Sequence, residues 1–310
     1  FDNIGIIAGF LCAIHCIATP FLFIAKACTA TCCSEAPIWW IFIDYLFLII
    51  SFTAIYYTNK STTMYWIKLS LWISWFLLGF SIVSHSFDIA YLPNNFIYFN
   101  PKDVVSGDFY WFEHIDEVSY IAAADCTGHG VPGAMISVVC NNALNRSVRE
   151  YNLSNPGEIL GKAREIVIQE FEKSETEVRD GMDIAICSLI GDKLEYAGAH
   201  NPLWIIRNGI LIETKANKQP IGKFENLQPY NTHSFQLEKG DTIYIFSDGY
   251  SDQFGGARGK KYKTTNFKNF LLSIQESSMP KQLTLLDAEF EKWRGSMEQI
   301  DDVCVIGLRI

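Results

Sequence analysis

The first 87 residues of the chain almost lack charged side chains. They hold three lysines and three acidic residues, which are Lys26, Lys60, Lys68, Asp2, Glu35 and Asp44. The formal net charge of −9 therefore belongs to residues 88–310. Such an acidic half argues against sequence-independent contact with a phosphate backbone, which requires clustered Lys and Arg. The composition therefore excludes nucleic acid as an expected partner.

Polar faces are also missing from three long apolar stretches, residues 4–25, 37–57 and 64–84. Each is about the twenty residues that a helix needs to cross a bilayer. Aromatic residues gather near their ends, as is typical of the membrane interface. These aromatic residues are Trp39, Trp40, Tyr56, Tyr57, Tyr65 and Trp66. We predict a domain of three transmembrane helices over residues 1–87, surrounded by membrane lipid. Its start lacks the basic residues and the cleavage site of a signal peptide.

Cysteine is used differently in the two halves. In residues 88–310 the cysteines lack metal-ligand spacing, which favours a reduced, cytosolic setting. The other five lie in the first 33 residues, as Cys12, Cys16, Cys28, Cys32 and Cys33. Cys12 and Cys16 share one helix face, where two thiolates could bind a soft cation or two small side chains could pack against another helix. His15 and the second cysteine cluster favour metal handling.

The stretch "GIIAGFLCAIHCIATPFLF", the following cysteine-bearing loop and the two later apolar stretches resemble MerC-type mercury-resistance membrane proteins over residues 3–84. The resemblance implies that the five cysteines are Hg(II) ligands, with Hg2+ the transported ion, in the inner (cytoplasmic) membrane of a bacterium. That family usually has four spanning helices, whereas three are predicted here. One lysine flanks each loop, so the positive-inside rule does not choose a topology.

Residues 88–310 lack the GxxxxGK[ST] and GxSxG motifs, which argues against a P-loop enzyme and a serine hydrolase. Short β-type runs alternate in groups with helical periodicity, which predicts an α+β layered domain with mainly antiparallel sheets. The predicted strands cover residues 104–112, 118–124, 184–190, 194–197, 203–206, 242–246 and 303–310. The predicted helices cover residues 131–148, 156–173, 266–276 and 281–293.

Aspartates end or open several of these strands. Asp108 and Asp248 each lie beside a glycine, and Asp125 is followed by the glycine-containing turn "CTGHG". Asp301 and Asp302 open the last strand. Each alone reads as an ordinary turn or cap residue. Together, carboxylates without a matching His or Cys cluster are the hard ligands that Mg2+ or Mn2+ prefers. A two-metal site of this kind can activate a water and clamp a phosphate.

Seven segments in order resemble the SpoIIE-type branch of the metal-dependent PPM phosphatases, relatives of protein phosphatase type 2C. They are "PKDVVSGDFYWF", "AADCTGHGVPGAMIS", "DGMDIAICSL", "YAGAHNPLWI", "QPIG", "IFSDGYSDQFGG" and "DDVCVIGLRI", spanning about residues 92–310. The resemblance implies a sandwich of two antiparallel sheets flanked by helices. It also implies two Mn2+ or Mg2+ ions and hydrolysis of phosphoserine or phosphothreonine on a protein, such as an anti-sigma-factor antagonist.

Position by position, the resemblance assigns Asp108 and Asp125 as catalytic carboxylates that hold the metal pair, with Asp125 as the bridge. The backbone carbonyl of Cys126 and the Asp248 carboxylate join them. Of the two aspartates that open the last strand, the resemblance favours Asp301 over Asp302 as the metal ligand.

His129 lies four positions beyond the bridging aspartate, whereas the acid of the eukaryotic relatives lies two positions beyond it. His129 is therefore predicted to shape the turn or contact phosphate. Asp183 is predicted to have a structural role at the start of a strand.

The leading hypothesis is a membrane-tethered protein phosphatase, over residues 88–310, that faces the cytosol. One alternative is a mercuric-ion carrier with a passenger or sensory phosphatase-like domain. A third hypothesis is a join of two unrelated gene pieces, because both the fourth helix and a regulatory module before residue 92 are missing.

Overall fold

A computed structural model describes residues 94–172 and 180–310, together with isolated helical residues at 52, 55, 66, 68, 69, 71–73 and 75. The chain divides into two units, Phe1–Tyr91 and Leu92–Ile310. Most of the predicted membrane helices and all five N-terminal cysteines lie outside the described residues. Within the described part, no helix has the length and hydrophobicity needed to cross a membrane. The three-helix membrane domain therefore stays a prediction.

The second unit contains two five-stranded antiparallel sheets. The strands of the first sheet are β1 (Asn95–Asn100), β6 (Leu203–Arg207), β7 (Ile210–Thr214), β9 (Thr242–Phe246) and β12 (Val303–Arg309). Those of the second are β2 (Phe109–Ile115), β3 (Val118–Cys126), β4 (Met182–Ile190), β5 (Lys193–Ala199) and β8 (His233–Gln236). The first sheet has the strand order β1-β12-β9-β6-β7 and the second the order β2-β3-β4-β5-β8.

Helices cover the outer faces of both sheets. They are α1 (Gly130–Arg149), α2 (Pro156–Phe171), α3 (Gly249–Asp252), α4 (Thr264–Ser273) and α5 (Met279–Arg294). A small ribbon of β10 (Phe254–Gly255) and β11 (Lys260–Lys261) follows α3. The first two helices pack on the second sheet, and the last three pack on the first.

The alternation of side chains along the strands builds three apolar layers. In β3, Ala122 and Ala124 pack towards α1 and α2, whereas Ile121 and Ala123 pack between the two sheets. This period of two is what a strand buried on both faces requires. The expected α+β sandwich of two antiparallel sheets flanked by helices is confirmed.

The predicted strand over residues 104–112 was wrong in its first half, because β2 begins at Phe109. Residues 102–107 form a loop whose backbone N–H groups at Lys102 and Gly107 donate to the two carboxylate oxygens of Asp302. Amides committed to a side chain cannot pair with a neighbouring strand, so the loop persists despite its β-branched residues.

Strand direction gathers the aspartates at one end of the sandwich. In the second sheet, antiparallel pairing places the start of β2 and the start of β4 beside the end of β3. In the first sheet, the end of β9 lies beside the start of β12. The candidate site is built from these five strand ends.

Candidate active site

Asp108 immediately precedes β2 and is 3% exposed. Its Oδ2 atom has no hydrogen-bond partner in the described part of the chain. Burial raises its pKa well above the usual range, and the neighbouring Asp125 adds to the shift, although a hydrogen bond from the Ser247 side chain opposes it. An unpartnered buried carboxylate oxygen is costly, so this atom requires a ligand.

Asp125 lies one residue before the end of β3. Burial raises its pKa well above the usual range, and Asp248, Asp301 and Asp183 contribute further through their negative charges. The backbone N–H of Asp248 donates a hydrogen bond to this carboxylate and partly offsets the shift. Asp125 is therefore the residue around which the other carboxylates gather.

Asp248 follows β9 and precedes the short helix α3. Burial raises its pKa to about 6, and the charges of Asp252, Asp301 and Asp183 also raise it. Lys261 lowers the pKa, but its ammonium is already 2.6 Å from the Asp252 carboxylate. The positive charge of Lys261 is thus shared with Asp252.

Asp301 and Asp302 have different surroundings. Asp302 is 1% exposed, and its oxygens accept the N–H groups of Lys102 at 2.7 Å and Gly107 at 2.8 Å. Burial raises the pKa of Asp301, whose Oδ1 accepts the N–H of Asp302 at 2.9 Å. Asp302 therefore anchors the loop before Asp108, whereas Asp301 interacts with the other carboxylates of the cluster.

The turn after Asp125 depends on glycine. Gly128 and Gly130 have φ angles of +84° and +64°, a region that side chains with a Cβ disfavour. Before them, Thr127 donates its N–H to the carbonyl of Gly181 at 3.0 Å. The carbonyl of Cys126 therefore lies at the start of a turn that a backbone hydrogen bond holds in place. The loop that contains Gly107 packs against this turn.

His129 lies next to α1 and is half exposed. Its Nδ1 is 2.6 Å from Asp103 Oδ2, and its Nε2 is 2.8 Å from Lys102 Nζ. It therefore joins the turn after β3 to the loop before β2, at the rim of the aspartate cluster.

The donor set fits hard divalent cations. Oxygen ligands without cysteine or histidine suit Mg2+ or Mn2+, and like charges at close range raise each other's pKa values until a cation compensates them. In residues 94–172 and 180–310, no three His, Cys, Asp or Glu side chains stand close enough to form a ready cation site. The fit therefore rests on the unpartnered Asp108 oxygen and on aspartates that raise one another's pKa values.

Two residues near the site were given no site role from the sequence. Asp183 was predicted to be structural, yet the register of β3 with β4 places it directly opposite Asp125. Its charge raises the pKa values of both Asp125 and Asp248. Lys102 lies in the segment "PKDVVSGDFYWF", but nothing in the sequence assigned it a role. Pairing β3 with β4 in the correct register is the signal that would have found Asp183.

Comparisons with known proteins agree with this fold. A family model described as Stage II sporulation protein E (SpoIIE) matches residues 116–310, and a MerC mercury resistance protein model matches residues 2–112. The SiaA-PP2C domain of Pseudomonas aeruginosa has a TM-score of 0.64 and 26% identity, covering 74% of this chain and 97% of that one. The SpoIIE PP2C phosphatase domain, with a regulatory fragment, from Bacillus subtilis has a TM-score of 0.57 and 19% identity, covering 70% and 63%.

Among curated proteins, "Phosphoserine phosphatase RsbP" of Bacillus subtilis (strain 168) is 27% identical over 164 residues. The aligned region covers 50% of this chain and 39% of RsbP, so the chain spans less than half of that relative. The SpoIIE model covers more than half of the chain and includes Asp125, Asp183, Asp248 and Asp301. The chain therefore belongs to the SpoIIE family.

Proposed function

We propose that residues 92–310 form a metal-dependent protein phosphatase that hydrolyses phosphoserine or phosphothreonine on a protein partner. The observation that carries this proposal is the convergence of Asp108, Asp125, Asp248 and Asp301 at one end of the sandwich. The proposal is supported by the effect of Asp125 on the pKa of Asp108 and by the effect of Asp301 on the pKa values of Asp125 and Asp248. The likeness to phosphoserine and PP2C phosphatases supports the same chemistry.

In this proposal the carboxylates of Asp108, Asp125, Asp248 and Asp301, with the Cys126 carbonyl, hold two Mn2+ or Mg2+ ions. When bound, the ions supply the Lewis acidity that activates a water and neutralises phosphoryl oxygens. Asp302 keeps the loop before Asp108 in place, and the glycine turn brings backbone close to the site without a Cβ in the way.

The substrate we propose is a phosphoprotein, and an anti-sigma-factor antagonist fits the resemblance of the sequence. The proposal places the phosphatase unit in the cytosol, tethered to the inner membrane of a bacterium by the MerC-like residues. The MerC match supports the tether, since it covers the three apolar stretches.

The test measures phosphate release from a phosphoserine peptide by the 310-residue chain, with and without Mn2+ or Mg2+. We expect metal-dependent release that Asp125→Asn abolishes. Asp192→Asn, at an exposed position in the β4–β5 turn, is the matched control and should retain the activity. Equal activity in the Asp125 and Asp192 variants would disprove the proposed site.

A second function, mercuric-ion uptake, is favoured by the MerC match over residues 2–112. The proposed ligands are Cys12, Cys16, Cys28, Cys32 and Cys33. Cells that express the chain should become hypersensitive to Hg(II), and the double variant Cys12→Ser and Cys16→Ser should lose that phenotype. Equal sensitivity of the two strains would count against transport.

A further inference from the structure

We propose that Lys102 binds the phosphoryl group of the substrate and that His129 and Asp103 position its ammonium for this task. The inference rests on the proposed phosphatase function and adds a substrate-binding residue to it. It gives His129 a positioning role instead of a catalytic one.

The protonation pattern of the Lys102–His129–Asp103 chain follows from donor chemistry. A lysine ammonium has three N–H donors and no acceptor. Because Lys102 Nζ lies 2.8 Å from His129 Nε2, this ring nitrogen must accept. The proton of the neutral ring is then on Nδ1, which donates to Asp103 Oδ2 at 2.6 Å. His129 is thereby fixed in one tautomer, with Nε2 turned to the lysine.

The backbone of Lys102 is also fixed. Its N–H donates to Asp302 Oδ1 at 2.7 Å, and Asp302 precedes β12 in the floor of the site. The lysine is therefore held at two points, through its amide by Asp302 and through its ammonium by His129. A cation held in this way loses little conformational entropy when it binds a ligand.

Lys102 differs from the other lysine at the site in the partner that it contacts. Lys261 forms an ion pair with Asp252 at 2.6 Å. Within the described ranges, Lys102 forms no ion pair with a carboxylate, and its ammonium contacts a neutral imidazole. One of its three N–H groups donates to His129, which leaves two for other acceptors. Its positive charge reaches the aspartates, because Lys102 lowers the pKa of Asp301, which burial raises.

A phosphomonoester needs such a cation at this site. It carries a charge of about −1.5 to −2 near neutral pH, and the aspartate cluster would repel it. Lysine is a point charge suited to phosphate. An ammonium that is pre-positioned at the rim and not already paired with a carboxylate offsets that repulsion before the phosphoryl group reaches the carboxylates.

The experiment compares Lys102→Met with Lys261→Met in the 310-residue chain. Two quantities are measured in Mn2+, the kinetics on a phosphoserine peptide and the Kd of the same peptide carrying a nonhydrolysable phosphonate. Charge-assisted hydrogen bonds of about 1.5–3 kcal/mol predict a rise of roughly ten- to one-hundred-fold in KM and Kd for Lys102→Met. Removing the exposed Lys261 pair predicts a change of about fivefold or less.

The positioning role of His129 has its own readout. His129→Ala should raise KM in the wild-type background but add nothing in the Lys102→Met background, because it acts through the lysine. His129→Gln, whose side-chain oxygen can accept from Lys102, should restore part of the affinity. Additive effects of His129→Ala and Lys102→Met would overturn the positioning role.

The outcomes separate this inference from the proposed function. A wild-type chain that hydrolyses the peptide, with equal Kd values for the Lys102 and Lys261 variants, overturns the inference alone. A wild-type chain that neither hydrolyses the phosphopeptide nor binds the phosphonate overturns the phosphatase function as well. Unchanged thermal unfolding of Lys102→Met would confirm that lost affinity is not lost folding.

Discussion

Gly133 lies in the first turn of α1, where its Cα faces the glycine turn after Asp125. A Cβ added there would overlap the carbonyl oxygen of Gly128, lie 2.7 Å from its carbonyl carbon and 3.0 Å from Gly107 Cα. Carbon atoms prefer a separation of about 3.5–4.0 Å. All three neighbouring atoms belong to the backbone, so no side chain can move aside, and Gly133→Ala must displace the turn or the helix.

The expected magnitude follows from two opposing effects. Overpacking costs about 1–3 kcal/mol, whereas alanine in a helix interior gains about 1 kcal/mol over glycine. We therefore expect Gly133→Ala to lower the free energy of unfolding by up to about 2 kcal/mol. A displacement of about 1 Å beside reacting groups can lower turnover roughly 100-fold, so the loss of kcat should exceed the loss of stability.

The matched control is Gly161→Ala, the same substitution in α2. A Cβ at Gly161 meets nothing within 4 Å, so only the helix propensity changes. This variant should gain about 0.5–1 kcal/mol and keep its activity. Urea unfolding and phosphopeptide turnover of both variants provide the test. If Gly133→Ala proves as stable and as active as Gly161→Ala, the close packing of the turn does not hold the site.

Three further predictions concern stability. Asp302→Asn replaces a carboxylate oxygen that accepts a loop N–H with an amide NH2, which can only donate. The free energy of unfolding, measured by urea titration, should therefore fall by about 1.5–3 kcal/mol. An unchanged midpoint would contradict the anchor role of Asp302. Burial alone would raise the pKa of Asp241, but hydrogen bonds from Arg207 and a backbone N–H lower it below the usual range. Its stabilisation is therefore present at neutral pH and lost as pH falls below about 4, so Arg207→Met should destabilise the chain more at pH 7 than at pH 3.5. Asn155 Oδ1 accepts two N–H groups at the start of α2, so Asn155→Ala should cost about 0.5–2 kcal/mol without changing KM for the phosphopeptide.

The central strands could be predicted because a strand that is buried along its length has a continuous apolar sequence. Strands β3, β4 and β9 are buried along almost their entire length, so their apolar runs are long and end abruptly at polar residues. The aspartates at those ends were predicted to converge for the same reason. Fold class and the carboxylates of the candidate site therefore follow from local patterns.

The edge strands and the loop before β2 could not be predicted in this way. Strand β7 has only three apolar residues, at positions 210–212, and is largely exposed, and β8 has only four residues, so neither has the long apolar run of a central strand. Val104 and Val105 favour a strand, but Asp302, at the far end of the chain, accepts the neighbouring amides. Only tertiary structure brings that carboxylate to the loop. The roles of Lys102 and Asp183 depend on tertiary contacts in the same way.

The pairing of β1 and β2 indicates where the second unit begins. The SpoIIE match starts at residue 116, and the MerC match runs to residue 112. Yet β1 pairs with β12 from Asn95 to Asn100, and β2 pairs with β3 from Phe109 to Ile115. A fragment that starts at residue 116 would lose an outer strand from each sheet, expose the edges of β3 and β12, and lack Asp108. The two sheets and the candidate site are intact only in a fragment that retains residues 94–115, which agrees with the division of the chain before Leu92.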